Sequence, residues 1–402
     1  ESGQMKFNEF GTHLPGDGLG RKIKDIWSLL AGLLLNRQSF TDNASVNIVS
    51  VGQGKLLATS ESKHSHYIVD PSTLEMQSQP LVDSKVKENL ATAHHTKLSD
   101  GDLINVGTAI GEGFVIQRTN PRTMKCTAIR SLPAQRPAAP SWIHDFPATD
   151  DCVVIVEQPI YYNLGSLAFG QVAEHVVFDW VPEDGTRFHI VPLDPSKKVR
   201  TFSTPTFFAF HYGNTFVSED GKRLCFDVSR YEDPQIVNDL LLENLRPGEN
   251  EVSQSSLWRY ELPLDGPDGG EVTGRCLAPG VDFMDFLSFN KEYKGKANRF
   301  TYGISVVRPT CAANALCKVD AETGTFAIWH EPGTTPGEPH FVPRPSGDGE
   351  DDGIILSTVT GSDGLSFLLF LDGKTFKEVA RAKLPYSMPC RFHGEFVPAE
   401  AA

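Results

Sequence analysis

Four histidines interrupt apolar segments of this chain: His94 in "ATAHHTK", His144 in "SWIHDF", His211 in "FAFHYGN" and His393 in "CRFHGEFVP". A neutral imidazole offers one nitrogen to a transition metal, and iron, zinc, copper and nickel all accept it. What links the four is their spacing from a recurring turn. Asp or Asn, followed by Pro, Gly or Ala and closing a strand-like run, appears at Asp70, Asn120, Asp194, Asp265, Asp320 and Asp372. His94 follows its turn by 24 residues, His144 by 24, His211 by 17 and His393 by 21. The other two turns are followed by acids in the same window, Asp285 after 20 residues and Glu338 after 18. Six polar residues at one phase of a repeat predict six side chains on six first strands, converging on one axis. Four nitrogens would surround a metal ion. The carboxylates would accept the far N–H of the ligating rings and offset the ion's charge.

A lone histidine beside an aromatic is ordinarily a core or loop residue. His13, His64, His66, His175, His189, His330 and His340 have no place in the repeat and read that way. His95 points to the strand face opposite His94. Structural zinc favours cysteine, and the seven cysteines form no CxxC pair. Their odd number and scatter suit reduced thiols in a reducing compartment.

The elements that must position these residues are short strands. "ASVNIVSV", "KLLATSE", "GFVIQRT", "CVVIVEQ", "RFHIVPL", "RLCFDVSRY", "SLWRYEL", "GIILSTV", "LSFLLFL" and "RFHGEF" are rich in β-branched and aromatic side chains. Helical patterns are confined to 22–35 and 234–246, and Pro, Gly and acid-rich loops occupy 132–140 and 331–352. The turns are 50, 74, 71, 55 and 52 residues apart, about one four-stranded blade each. The prediction is all-β: one propeller domain over 1–402 with at least six blades. The chain opens on Glu1 rather than Met, so a preceding segment is expected.

Hydrophobic residues make up 40% of the 402, ample for a large core, and the net charge is −14. Phosphate binding needs a concentrated basic face, so a nucleic-acid partner is excluded. No signal peptide and no apolar run long enough to span a bilayer is present. One stretch, 20–38, could still touch a membrane: Ile23, Ile26, Trp27, Leu30, Leu33 and Leu34 share a helical face flanked by Arg21, Lys22, Lys24 and Arg37. Packing on the protein's own core and anchoring in a bilayer interface are both open readings. The run Leu33-Leu34-Leu35 overfills one face and favours the membrane.

Together these blocks resemble the carotenoid cleavage oxygenase family, in its β-carotene oxygenase and retinoid isomerohydrolase branch. The resemblance runs through "NEFGT" (8–12), "FTDNASVNIV" (40–49), "ATSES" (58–62), "ATAHHTKLSDGDLINVGT" (91–108), "IHDFPATDDCVVIVEQP" (143–159), "FAFHYGN" (208–214), "EPGTTPGEPHFVPRP" (331–345) and "FHGEFVP" (392–398). It implies a seven-bladed β-propeller with a dome of loops and helices over the axis, and iron(II), Fe(2+), held by His94, His144, His211 and His393. It also implies three acids behind the ligands. Two match Glu61 and Glu338. The third falls on Asp285 where the family has Glu, and the lost methylene predicts a longer or water-mediated bond to its histidine.

Other departures are Val217 where the family carries an acid, no cysteine in "HLPGDGLGRKI" (13–23), and no early Gly/Pro-rich blade segment. The function implied is O2-dependent cleavage of a C=C bond in a carotenoid or apocarotenoid, giving retinal or related carbonyl products. The iron centre carries the chemistry with no separate acid or base, and the 25 Phe residues contribute to an apolar tunnel for the polyene. The segment 160–171 and the 22–35 helix would meet the membrane around the tunnel mouth, with Ile26, Trp27, Leu30, Leu33 and Leu34 in contact. The setting implied is the cytoplasm or the plastid interior, at a membrane surface. Retinoid-ester isomerohydrolysis or stilbene cleavage on the same scaffold is the nearest alternative. A non-catalytic lipid-binding propeller is the alternative from another class.

Overall fold

A computed structural model describes residues 44–398 apart from 53, 62–65, 79, 80, 83–85, 87, 164, 167–172, 246–249, 390 and 391. The fold is all-β, a propeller of small, largely antiparallel sheets. Blade 1 comprises Asn47–Gly52, Lys55–Thr59, Tyr67–Val69 and Met76–Ser78, paired in sequence order. Blade 2 is built on Leu103–Ala109, Gly113–Asn120 and Lys125–Pro133. Its first strand is split into Leu90–Ala91 and Thr96–Lys97, both paired with Leu103–Ala109. Blade 3 has Cys152–Glu157, Thr186–Pro192 and Arg200–Thr204, with a side hairpin of Ile160–Tyr162 and Phe178–Trp180.

Blade 4 runs Tyr212–Val217, Arg223–Tyr231, Ser255–Pro263, Arg275–Cys276, and blade 5 runs Asp285–Ser288, Phe300–Ser305, Ala315–Asp320, Phe326–His330. Blade 6 splits its first strand like blade 2, into Thr334–Pro336 and His340–Pro343. Both pair with Gly353–Gly361, which Ser366–Asp372 and Glu378–Lys383 follow. The described residues thus form six blade sheets, not the seven expected. Each of the six turns in the sequence marks one blade, and none of them marks a seventh. The chain divides into two compact units, one holding blades 1 and 2 and most of blade 3, the other holding Arg200–Thr204 and blades 4–6.

The turns fold as their chemistry dictates. Asp70 accepts from the backbone N–H of Ser72 at 2.8 Å and of Thr73 at 3.1 Å. Asn120 does the same for Arg122 and Thr123, Asp320 for Glu322 and Thr323, and Asp194 for Ser196. Every turn leads into the last strand of its blade, which explains why the next blade's site residue follows at a similar interval. Four residues after the Asx the backbone enters the left-handed region, at Leu74, Met124, Gly324 and Phe376. Three of these are not glycine. The turn costs them strain, and at Met124 and Phe376 burial of the side chain offsets it.

Strands such as Leu103–Ala109 and Cys152–Glu157 are buried along their whole length, so their sequences read as apolar runs rather than alternation. Blades pack face to face. Val51, Leu57 and Ile68 of blade 1 meet Leu103 and Met124 of blade 2. Tyr302 and Leu316 of blade 5 meet Phe341, Ile355, Leu369 and Leu371 of blade 6. Each fully buried Leu, Ile or Phe stabilises the fold by about 1.5–3 kcal/mol. The pattern predicted as helix over 234–246 holds two short helices, Gln235–Asp239 and Leu242–Leu245. "RFHGEF", expected as a strand, has no strand among its described residues, 392–396. The helix over 22–35, with Ile26, Trp27, Leu30, Leu33 and Leu34, lies outside the described residues. Among those described, no helix is long and apolar enough to cross a membrane. Cys126, Cys152, Cys225, Cys276, Cys311 and Cys317 form no disulfide with one another.

Candidate metal centre

None of the four histidines lies inside a strand, contrary to the sequence expectation. His94 sits in the break of blade 2's first strand, His144 in the loop before Cys152–Glu157, His211 just ahead of Tyr212–Val217 and His393 in the irregular tail. The reason is geometric. A side chain within a ladder stands normal to its sheet and faces the neighbouring blade. A residue off the ladder can turn its ring away from that interface.

In the unit that holds blades 1 and 2, the Nε2 atoms of His94 and His144 are 3.4 Å apart. The break holding His94 is fixed by Thr92, whose hydroxyl donates to His94 O at 2.8 Å and accepts from His94 N at 3.2 Å. Thr59 of blade 1 donates to Ala93 O at 2.7 Å. Asn105 donates to Thr92 O at 2.9 Å. His144 Nδ1 bonds Glu61 Oε1, and Trp142 Nε1 donates to Glu61 Oε2 at 3.0 Å, so both oxygens of that carboxylate are engaged. Trp142 is itself clamped against Phe178, ring centroids 4.3 Å apart and 10° from parallel. His94 Nδ1 stands 3.9 Å from Asp145. Its neighbour His95 faces away, toward Asn105, and burial pushes it down to about 3, so it stays neutral.

In the unit of blades 4–6, the Nε2 atoms of His211 and His393 are 3.0 Å apart. His211 Nδ1 lies 2.8 Å from Asp285 Oδ1, and Tyr231 donates its hydroxyl to Asp285 Oδ2 at 2.5 Å. The shorter acid therefore reaches its histidine directly, not through the longer or water-mediated bond expected. Asp285 opens a strand and its Oδ1 also accepts from Phe286 N at 2.8 Å, which holds the carboxylate over the ring. Burial, then the Asp285 charge, push Tyr231 well above the ordinary phenol range, so it remains a donor. His393 Nδ1 lies 3.1 Å from Glu338 Oε1, and Gly394 N donates to Glu338 Oε2 at 3.2 Å. Burial opposes the charge on Glu338, but His393 facing it, with these bonds, holds the carboxyl below its ordinary range. Phe286 has a left-handed backbone, φ 53°, and sets its ring 4.7 Å from those of both His211 and His393.

The donor set fits a divalent transition metal on two counts. Nitrogens bound at about 2.1 Å to an ion such as zinc are about 3.0 Å apart at a right angle and about 3.4 Å apart at a tetrahedral angle. Those are the two separations observed. Three of the rings meet a carboxylate through Nδ1, which fixes the tautomer that leaves Nε2 free to ligate. Sequence reasoning missed Tyr231, Trp142, Phe286 and Thr92. They lie outside the repeat phase and act through the carboxylates, the rings and the backbone, so spacing carries no sign of them. Val217, where the family has an acid, is exposed.

Comparison with known proteins gives the chain's family. The family profile of the retinal pigment epithelial membrane protein matches residues 2–398. "Carotenoid cleavage dioxygenase 8 homolog A, chloroplastic" of Oryza sativa subsp. japonica is 30% identical over 96% of this chain and 70% of its own length. "Beta,beta-carotene 15,15'-dioxygenase" of Rattus norvegicus is 30% identical over 99% of this chain and 77% of its own. The solved structure of cobalt-substituted Synechocystis ACO superposes with a TM-score of 0.70 at 21% identity, covering 87% of this chain and 73% of that one. The lignostilbene dioxygenase of Pseudomonas brassicacearum gives 0.70 at 22%, covering 87% and 74%. With a family match over residues 2–398 and relatives 30% identical across at least 96% of its length, the chain belongs to the retinal pigment epithelial membrane protein family, that of the carotenoid cleavage oxygenases.

Proposed function

We propose that this protein is a non-heme iron dioxygenase that cleaves one C=C bond of a carotenoid or apocarotenoid. One O2 is consumed, and each alkene carbon leaves as a carbonyl, giving apocarotenal or retinal products. His94, His144, His211 and His393 would together hold one iron(II) ion, each offering an imidazole nitrogen. When bound, the ion supplies a site at which O2 is activated beside the double bond. The observation that carries the reading is the set of three imidazoles whose Nδ1 atoms meet Glu61, Asp285 and Glu338.

The chain's own residues then have defined tasks. Glu61, Asp285 and Glu338 hold the ring tautomers and offset the cation's charge. Tyr231 and Trp142 fix two of those carboxylates. Phe286 walls two rings with apolar surface. The polyene is bound by burial of its length, which places one double bond without any acid or base acting on it. The blades would work as one domain over 1–402, supported by a family match that spans nearly the whole chain. Entry of a water-insoluble polyene favours a peripheral membrane contact through Ile26, Trp27, Leu30, Leu33 and Leu34. The chloroplastic rice relative makes a plastid interior one fitting compartment, with the cytoplasm the other.

Retinoid isomerohydrolysis and stilbene cleavage share such a site, but relatives named as carotenoid dioxygenases favour carotenoid cleavage. Iron-loaded protein incubated with β-carotene, an apocarotenal, a retinyl ester and resveratrol under 18O2 tests this. Label in aldehydes from the first two supports the proposal. Retinol without label, label only in resveratrol fragments, or no iron bound would reject it.

A further inference from the structure

Glu338 has a contact on the side away from His393 that the repeat gave no reason to expect. His340 is two residues further on and begins the strand His340–Pro343, where its backbone pairs with Leu356. Residues two apart on an extended chain point the same way. Its Nε2 accordingly lies 3.4 Å from Glu338 Oε2, at the outer edge of hydrogen-bonding reach. Glu338 is thus bonded at two points, His393 Nδ1 at 3.1 Å on Oε1 and Gly394 N at 3.2 Å on Oε2, with the His340 ring as a further neighbour of Oε2.

A cavity of about 230 Å³ opens beside this carboxylate, with Glu338, His340, His393, Glu395, Phe392 and Phe396 in its wall. The cavity is large enough for several waters. Without the imidazole, a water could reach Oε2, compete with Gly394 N–H and let the carboxylate rotate. With it, an imidazole ring carried on a strand backbone stands beside that oxygen and occupies that position. The sequence alone gave His340 an ordinary core role.

We propose that His340 is a positioning residue for the metal centre, acting through Glu338 to set the orientation and basicity of the His393 ring. The inference rests on the reading of His393 as a ligand. Removing a partner of this kind ordinarily weakens metal binding by about 10–100-fold. The test uses the metal-stripped full chain with cobalt(II) as probe. It compares wild type, His340→Leu, which removes the N–H, and His340→Gln, whose amide can place an N–H where Nε2 stood. Affinity is read by chelator competition, the ligand field by the cobalt absorption bands, and fold integrity by urea unfolding without metal. His340→Leu should bind cobalt at least about tenfold more weakly with shifted bands, while His340→Gln stays within about threefold of wild type. Equal affinity and bands in wild type and His340→Leu would overturn the inference while leaving the metal site intact. So would equal losses in both variants, or losses that simply track unfolding. If wild type itself bound no cobalt, the reading of His393 as a ligand would fall first.

Discussion

Replacing Asp285 by asparagine removes one negative charge and almost no volume. Asp285 is 2% exposed and its carboxylate accepts three bonds: from His211 Nδ1 at 2.8 Å, Tyr231 at 2.5 Å and Phe286 N at 2.8 Å. In the variant, Oδ1 can still accept from His211 and Phe286, and the Tyr231 hydroxyl can turn to accept from the new amide. Every group keeps a partner, but charged bonds worth about 1.5–3 kcal/mol become neutral ones worth about 0.5–1.5. Two such exchanges cost the metal-free fold about 2–3 kcal/mol. The metal-bound form loses more, because a divalent ion no longer faces the carboxylate behind its ligand. A weakening of about 10–100-fold, about 1.4–2.8 kcal/mol, is expected for metal affinity. Chelator competition on the stripped protein measures the second quantity and urea unfolding the first. Affinity within about twofold of wild type would refute the role given to Asp285.

Other perturbations test the frame that carries the site. Lys318 is a buried cation bonded to Asp351 at 2.6 Å and to Gly373 O at 2.7 Å, tying blade 5 to blade 6. Lys318→Met strands these partners and should cost about 3 kcal/mol in urea unfolding; a cost under 1 kcal/mol would contradict the tie. Asp320 is held down to about 2, chiefly by the Arg299 guanidinium and then by turn N–H groups, against burial. A carboxyl lowered in the fold contributes stability above its unfolded value near 4, and this is lost as pH falls toward 2. Partial exposure of Arg299 reduces the contribution to about 1 kcal/mol. Asp320→Asn should be less stable than wild type at pH 7, with the gap closing between pH 4 and 2; a constant gap would sink that reading.

The blades were legible because their turns are local chemistry. Asp70, Asn120 and Asp320 bond backbone N–H groups two and three residues on, and such contacts need nothing from the rest of the fold. The histidines were legible through those turns, since a last strand and a crossover span a nearly constant length. Two things were not. The strand breaks that hold His94 and Glu338 depend on contacts from other strands, such as Thr59 to Ala93, and strand propensity is blind to them. Glu61 follows the second strand of blade 1 rather than a first strand, so no spacing from a turn could find it; only resemblance did. The expected seventh blade does not appear among the described residues, and none of the six turns in this sequence marks one.

The most direct measurement is iron K-edge X-ray absorption on anaerobically loaded protein, together with iron stoichiometry, for wild type and the alanine variants of His94, His144, His211 and His393. The account predicts one iron per chain with four imidazole scatterers in wild type, and marked loss of iron in each variant. A fit with two imidazoles, or full iron retention in any one variant, would contradict a centre held by all four rings.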